Sequence, residues 1–114
     1  MTGSLINGPR SVNQLLEFTV NNAYVIGHIS IKNPEMWAEY RAKVPGTLAP
    51  WSAELLLRGK LTAVLGGEHS HTDTVVIRFP NLDAVNGWHA SAAYQALIPL
   101  RQMAADVDLL AFEE

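Results

Sequence analysis

The chain has 114 residues, 48% of them hydrophobic and 17% charged, with a formal net charge of −3 and no cysteine. That is enough for one domain with one core, and the composition excludes a long disordered or collagen-like chain. Missing thiols exclude disulfides and thiolate chemistry; scattered Lys and Arg, without a basic stripe, give no reason to expect a nucleic-acid partner. No run reaches the roughly 18 apolar residues of a membrane span, and the first residues lack a signal-peptide pattern, so no membrane partner and a cytoplasmic location are expected.

Residues 1–22 are rich in Gly, Ser, Asn and Thr, and read as an extension before the domain proper at 23–114. The rival reading is an arm docked through Leu15, Leu16 and Phe18. From Ala23 to Ile31 the residues alternate, with Val25, Gly27, Ile29 and Ile31 on one parity and Tyr24, Ile26, His28 and Ser30 on the other. This is a strand with one dry and one mixed face. Asn33-Pro34-Glu35 supplies an N-cap acceptor, a proline at the first helical position and an acid in the first turn. A helix should follow, with Trp37, Tyr40, Arg41 and Val44 at helical spacing and an interruption at Pro45-Gly46.

Two readings compete for Ala53 to Gly67. Gly59-Lys60 is a two-residue hairpin turn, or one long strand is kinked by a bulge at Gly59. A polar loop from Glu68 to Asp73 holds His69 and His71. In Thr74–Phe79, Val75, Ile77 and Phe79 share one face, while Thr74, Val76 and Arg78 share the other. Pro80 stops the strand, Asn81 caps a helix, and Leu82, Val85 and Trp88 form its buried stripe. Ser91 starts a second piece, Ala92 to about Ala104, which Pro99 should kink. Val107 to Phe112 reads as the last strand.

The order strand, helix, strand, strand, helix, strand predicts an α+β fold: a ferredoxin-like βαββαβ arrangement, a four-stranded antiparallel sheet with its helices on one face. The other face would carry Ile26, Leu56, Val76, Leu110 and Phe112, an apolar patch that calls for a partner. A homodimer through the sheet face is therefore expected.

The segments Ala23-Tyr24-Val25-Ile26, Asn33-Pro34-Glu35 with Tyr40, Leu57-Arg58-Gly59, Leu65-Gly66-Gly67-Glu68 and Val75–Asn81 come in an order that resembles the family catalogued as domain of unknown function 1330. Trp88-His89-Ala90-Ser91, Tyr94-Gln95, Leu100-Arg101 and Ala104-Ala105 continue the match, which covers residues 23–113. The resemblance implies a dimeric α+β barrel and favours the bulged strand at Arg58-Gly59. Arg78 stands where family members usually carry an acid, and Lys60 where a second glycine is usual. The wider superfamily includes cofactor-free monooxygenases, isomerases, haem-degrading enzymes and stress-response dimers, and fold alone does not choose among them.

The alternation places Tyr24, His28 and Ser30, Glu54 and Arg58, and Arg78 on the uncovered face. There His28 would act as a base, with Arg58 or Arg78 holding an oxyanion, on a small organic acid that Tyr24 and Glu54 help to bind. Turnover would make the protein a cofactor-free monooxygenase or isomerase of an enolisable acidic or aromatic molecule; without turnover it is a binding protein. The plainer reading is that these groups pair across the dimer interface. Trp88 reads first as core, and His89 as a solvated helix-end residue or a ligand contact at a cavity mouth. His69-Ser70-His71-Thr72-Asp73 lacks a definite third ligand, so no metal is expected. No phosphate loop, Gly-x-Ser-x-Gly elbow or spaced carboxylate pair is present, and no cofactor is implied.

Overall fold

A computed structural model describes residues 21–114; the expected extension, with its Leu15, Leu16 and Phe18 arm, lies almost wholly outside them. The elements are β1 (Ala23–Ile31), α1 (Pro34–Leu48), a 3-10 turn (Ala49–Trp51), β2 (Glu54–Lys60), β3 (Asp73–Phe79), α2 (Leu82–Ala90), α3 (Ala92–Gln95), α4 (Ile98–Ala104) and β4 (Ala105–Glu113). The strands form one antiparallel sheet in the order β2-β3-β1-β4. This is the ferredoxin-like fold, with the helices covering one face.

The local signals act as the side-chain chemistry dictates. Asn33 Oδ1 accepts from the Met36 N–H at 3.1 Å, and Asn81 Oδ1 from the Ala84 N–H at 2.8 Å, each satisfying a donor that the first helical turn leaves free. Ser91 ends one helix and starts the next, donating to the Trp88 carbonyl and accepting from the Tyr94 N–H. In β1 buried and half-buried residues alternate without a break through Ser30, and the buried set packs under the helices. Val25, Ile77, Phe79, Val85, Trp88 and Tyr94 form the centre of that core.

Three expectations are corrected. Pro45-Gly46 does not end the first helix, which runs on to Leu48 with Pro45 inside it. A missing hydrogen bond at an interior proline costs about 3 kcal/mol; burial of Tyr40, Thr47 and Leu48 on the same helix offsets it, and the Thr47 hydroxyl donates to the Val44 carbonyl at 2.7 Å. Pro99 does not kink a continuous helix. The chain breaks at Ala96-Leu97, and Pro99 sits in the first turn of α4, where its lack of an N–H is harmless.

A bulge exists in β2, but at Leu55–Leu57 and not at Gly59: Leu55 pairs with Ile77 and Leu57 with Val76, leaving Leu56 as the extra residue. The strand ends at Lys60, and the rest of the connection, 61–72, forms no helix or strand. Because side chains alternate with period two, one inserted residue reverses the face of everything after it.

Gly87 on α2 lies directly beneath the Trp51 ring, so a Cβ there would collide with it. Gly87→Ala should destabilise the fold by about 1–3 kcal/mol, read as a lower urea midpoint at unchanged slope.

Candidate functional site

The strand register arranges the open face of the sheet in rows. Phe112, Tyr24, Arg78 and Glu54 lie side by side across β4, β1, β3 and β2. The next row, Leu110, Ile26, Val76 and Leu57, is apolar throughout, and after it come Asp108, His28, Thr74 and Gly59. The expected apolar patch is therefore present, with Leu57 in the place assigned to Leu56. Arg78 donates to Glu54 within the same chain, and the Tyr24 hydroxyl donates to Glu114 Oε1 at 3.5 Å. His28 Nδ1 lies 3.2 Å from Thr74 Oγ1. Four residues of strand separate the His28 row from the Arg78 row, about 13 Å at ~3.3 Å per residue, too far for both to grip one small ligand.

Arg58 is on the other side of the sheet. The bulge pairs it with Val75, whose side chain faces the helices, and it lines a cleft there instead of joining His28. A cavity of about 90 Å³ lies between α1 and the β3 and β2 strands, walled by Trp37, Tyr40, Arg41, Val44, Arg58 and Val75. Arg58 and Val75 also line an adjoining depression of about 250 Å³ with Leu48 and Leu55, so the cleft continues past the guanidinium. Trp37 and Tyr40 stack with ring centroids 5.1 Å apart. Arg41 and Arg58 form no ion pair with any described carboxylate. Asp73 lines the same cavity but is turned to Lys60, 3.6 Å from its Nζ. Partial burial, and then the charge of Arg41, lower the Arg58 pKa from its ordinary value. Arginine starts so high that it remains charged.

Behind this cleft runs a buried polar chain. The Tyr40 and Tyr94 hydroxyls are 2.9 Å apart, and Arg101 Nη1 donates to the Tyr94 hydroxyl at 2.8 Å. Burial, reinforced by the Tyr94 hydroxyl, holds the Tyr40 pKa far above its ordinary value, and Arg101 offsets part of that rise. Tyr40 is thus a neutral donor or acceptor and no phenolate base.

A second cavity, about 410 Å³, lies against β4 and is lined by Trp88, His89, Asn86, Arg101 and Leu109 among others. Trp88 is 2% exposed and donates through Nε1 to Thr47 Oγ1 at 3.0 Å, as its place in the core stripe requires. His89, in the last turn of α2, reaches the cavity wall. Sequence reasoning did not select Arg41, Asp73, Tyr94 or Arg101. Arg41 was visible at helical spacing beside Tyr40; nothing local marked the meeting of Tyr40 with Tyr94, 54 residues away.

The profile of the family described as domain of unknown function (DUF1330) matches residues 22–114. The chain belongs to this family. Tyr40, Arg58 and Gly59, which carried the resemblance in the sequence, all line the α1 cleft, and Tyr94 and Arg101 stand behind it. No curated protein matches the chain. Among solved structures, a protein of unknown function from Rhodopseudomonas palustris is similar over 96% of this chain and 95% of its own, at 14% identity and a TM-score of 0.70. A dimeric ferredoxin-like protein of unknown function from Jannaschia sp. CCS1 is similar over 82% and 99%, at 10% identity and a TM-score of 0.65. SnoaB, a cofactor-independent oxygenase from Streptomyces nogalater, is similar over 81% and 91%, at 11% identity and a TM-score of 0.59. At such identities the likeness to this DUF1330 chain shows the fold. Among the described residues no helix is long and apolar enough to cross a membrane, and no group of three or more His, Asp or Glu is placed to hold a metal ion.

The raised Tyr40 pKa makes stability fall at alkaline pH. Above pH ~10 the unfolded chain releases a phenolic proton that the folded chain keeps. Urea midpoints should therefore decline beyond that pH, and decline less steeply in Tyr40→Phe.

Proposed function

We propose that this DUF1330 protein binds a small organic acid in the cleft between α1 and the β2–β3 strands. The observation that carries the reading is the pair Arg41 and Arg58, unmatched by any described carboxylate, on a wall whose apolar part is Trp37, Val44 and Val75 and whose carboxylate, Asp73, is turned to Lys60. A carboxylate meets a guanidinium through two parallel hydrogen bonds, and a flat or apolar body would lie along Trp37. The Tyr40 side chain lines the same space, held in place by its buried hydroxyl bond to Tyr94. An enzymatic use, as a cofactor-free oxygenase or isomerase, would draw its base from Asp73, the carboxylate on the cleft wall, because His28 lies on the opposite face.

The protein acts as a homodimer closed over the open face. The apolar row of Leu110, Ile26, Val76 and Leu57 supports this pairing, since Leu57 is 51% and Leu110 42% exposed in the single chain and such a row is costly to leave in water. The Arg78–Glu54 pair at its edge fixes neighbouring strands within one chain and leaves Tyr24 and Phe112 to flank the contact.

Binding is tested by titrating benzoate and hydroxybenzoates while following Trp fluorescence and calorimetric heat. Arg58→Met should weaken binding about 10- to 100-fold, the worth of a charged hydrogen bond, whereas Arg78→Met should leave it unchanged. The reverse ranking would move the site to the open face. For assembly, Leu110→Glu should convert a species of twice the chain mass into single chains in sedimentation equilibrium, because the charge would be buried without a partner.

A further inference from the structure

The polar end of the open face holds a constellation that the cleft beneath α1 does not use. Ser30 Oγ lies 2.9 Å from His71 Nδ1, and His71 Nε2 lies 2.9 Å from Asp108 Oδ2. The three come from β1, the 61–72 connection and β4. The His71 side chain is 13% exposed and Asp108 67%. An ionised carboxylate can only accept, so in the neutral ring Nε2 carries the proton and donates to Asp108. Nδ1 then has a free lone pair, and the Ser30 hydroxyl donates to it. Ser30 also has the Ser70 carbonyl at 3.5 Å, a longer contact that the imidazole outcompetes.

We propose that Ser30 is a nucleophile, with His71 as its general base and Asp108 as the group that orients the ring, at an acyl-transfer site for small carboxylic esters. Compared with the serine hydrolase arrangement, the two ring nitrogens exchange places. The chemistry survives the exchange, because either nitrogen of imidazole can take a proton while the other is held by a carboxylate. Ser30 Oγ bonds to the ester carbonyl carbon as its proton passes to His71 Nδ1. The carbon–alkoxide bond then breaks, and the alkoxide leaves with that proton. Water, deprotonated by the same nitrogen, hydrolyses the acyl-serine and restores the hydroxyl. Asp108 stabilises the imidazolium in both halves.

The surroundings suit the role. His28, two residues from Ser30 on the same strand face, has its ring centroid 6.5 Å from that of His71 and stacks roughly parallel to it, and His69 lies edge-on to both rings. Asp106, the β4 partner of Ser30, lies 3.5 Å from Lys32 Nζ, and a ring N–H of His28 or His69 can be presented to a developing oxyanion. Ser30 stands four residues along β1 from Ile26 in the apolar row, at the end of the face, outside the centre of the proposed dimer contact. It lies across the sheet from Arg58, so the two sites are independent.

The test uses the whole purified protein and phenylmethanesulfonyl fluoride, with peptide mass mapping of the adduct. The Ser30 oxygen displaces fluoride from sulfur, and its proton leaves through His71. One adduct per chain on Ser30 is expected. Labelling should slow about 100-fold or more when the base is removed in His71→Ala, and to a similar extent in His71→Gln. The glutamine amide can keep hydrogen bonds to both Ser30 and Asp108, which separates loss of the base from loss of the fold. Hydrolysis of 4-nitrophenyl acetate should disappear in Ser30→Ala at an unchanged melting temperature. An unlabelled Ser30, or one labelled equally fast in His71→Gln, overturns the proposal and leaves the network as a clasp that pins the connection to the sheet.

Discussion

A strand can present its side chains in only two directions, and the position of one extra residue in β2 decides which chemistry lies on which side of this sheet. Leu56 is that residue. Before it, Glu54 faces the open side with Arg78; after it, Leu57 replaces Leu56 in the apolar row and Arg58 turns toward α1. Without the bulge the chain would present a guanidinium beside His28 and Thr74 and leave the α1 cleft without its central cation. The bulge is thus a directing element, placing a charge where a helix can border it.

The cleft depends in turn on a polar chain buried in the core. Tyr94 is fully buried and Tyr40 nearly so, and each hydroxyl has the other as partner, with Arg101 donating from α4. An unpaired hydroxyl at such depth would cost about 1–3 kcal/mol. The pairing therefore fixes α1, α3 and α4 against one another as well as any apolar contact does. It also sets the chemistry behind the cleft, since a phenol held neutral by burial is no base.

The two faces of the sheet carry different chemistry. On the helix side, two arginines and two aromatic rings border an apolar cleft. On the open side, an apolar row separates an ion-paired end, Arg78 with Glu54, from a histidine-rich end, where Ser30, His71 and Asp108 meet. Alternation assigns Tyr24, His28, Ser30, Glu54, Arg58 and Arg78 to one face; the register keeps all but Arg58 there, and strand length sets the His28 and Arg78 rows about 13 Å apart. The alternation names the face but gives no distance until register is known. Within this chain Arg78 forms a cross-strand ion pair with Glu54.

The sequence by itself determined the elements whose causes are local. Alternation in Ala23–Ile31, the caps at Asn33 and Asn81, the stop at Pro80 and the Leu82, Val85, Trp88 stripe each depend on residues within one or two turns, and together they specify the strand and helix order and so the ferredoxin-like fold. Only the tertiary structure decided the rest. Leu55-Leu56-Leu57 offers no polar residue to mark which position is extra, so the bulge is set by pairing with β3. Helix α1 passes through Pro45 because core burial outweighs a local penalty. Ser30, His71 and Asp108, like Tyr40, Tyr94 and Arg101, come from separate elements, and no spacing rule joins residues that meet only when a sheet closes and its helices dock.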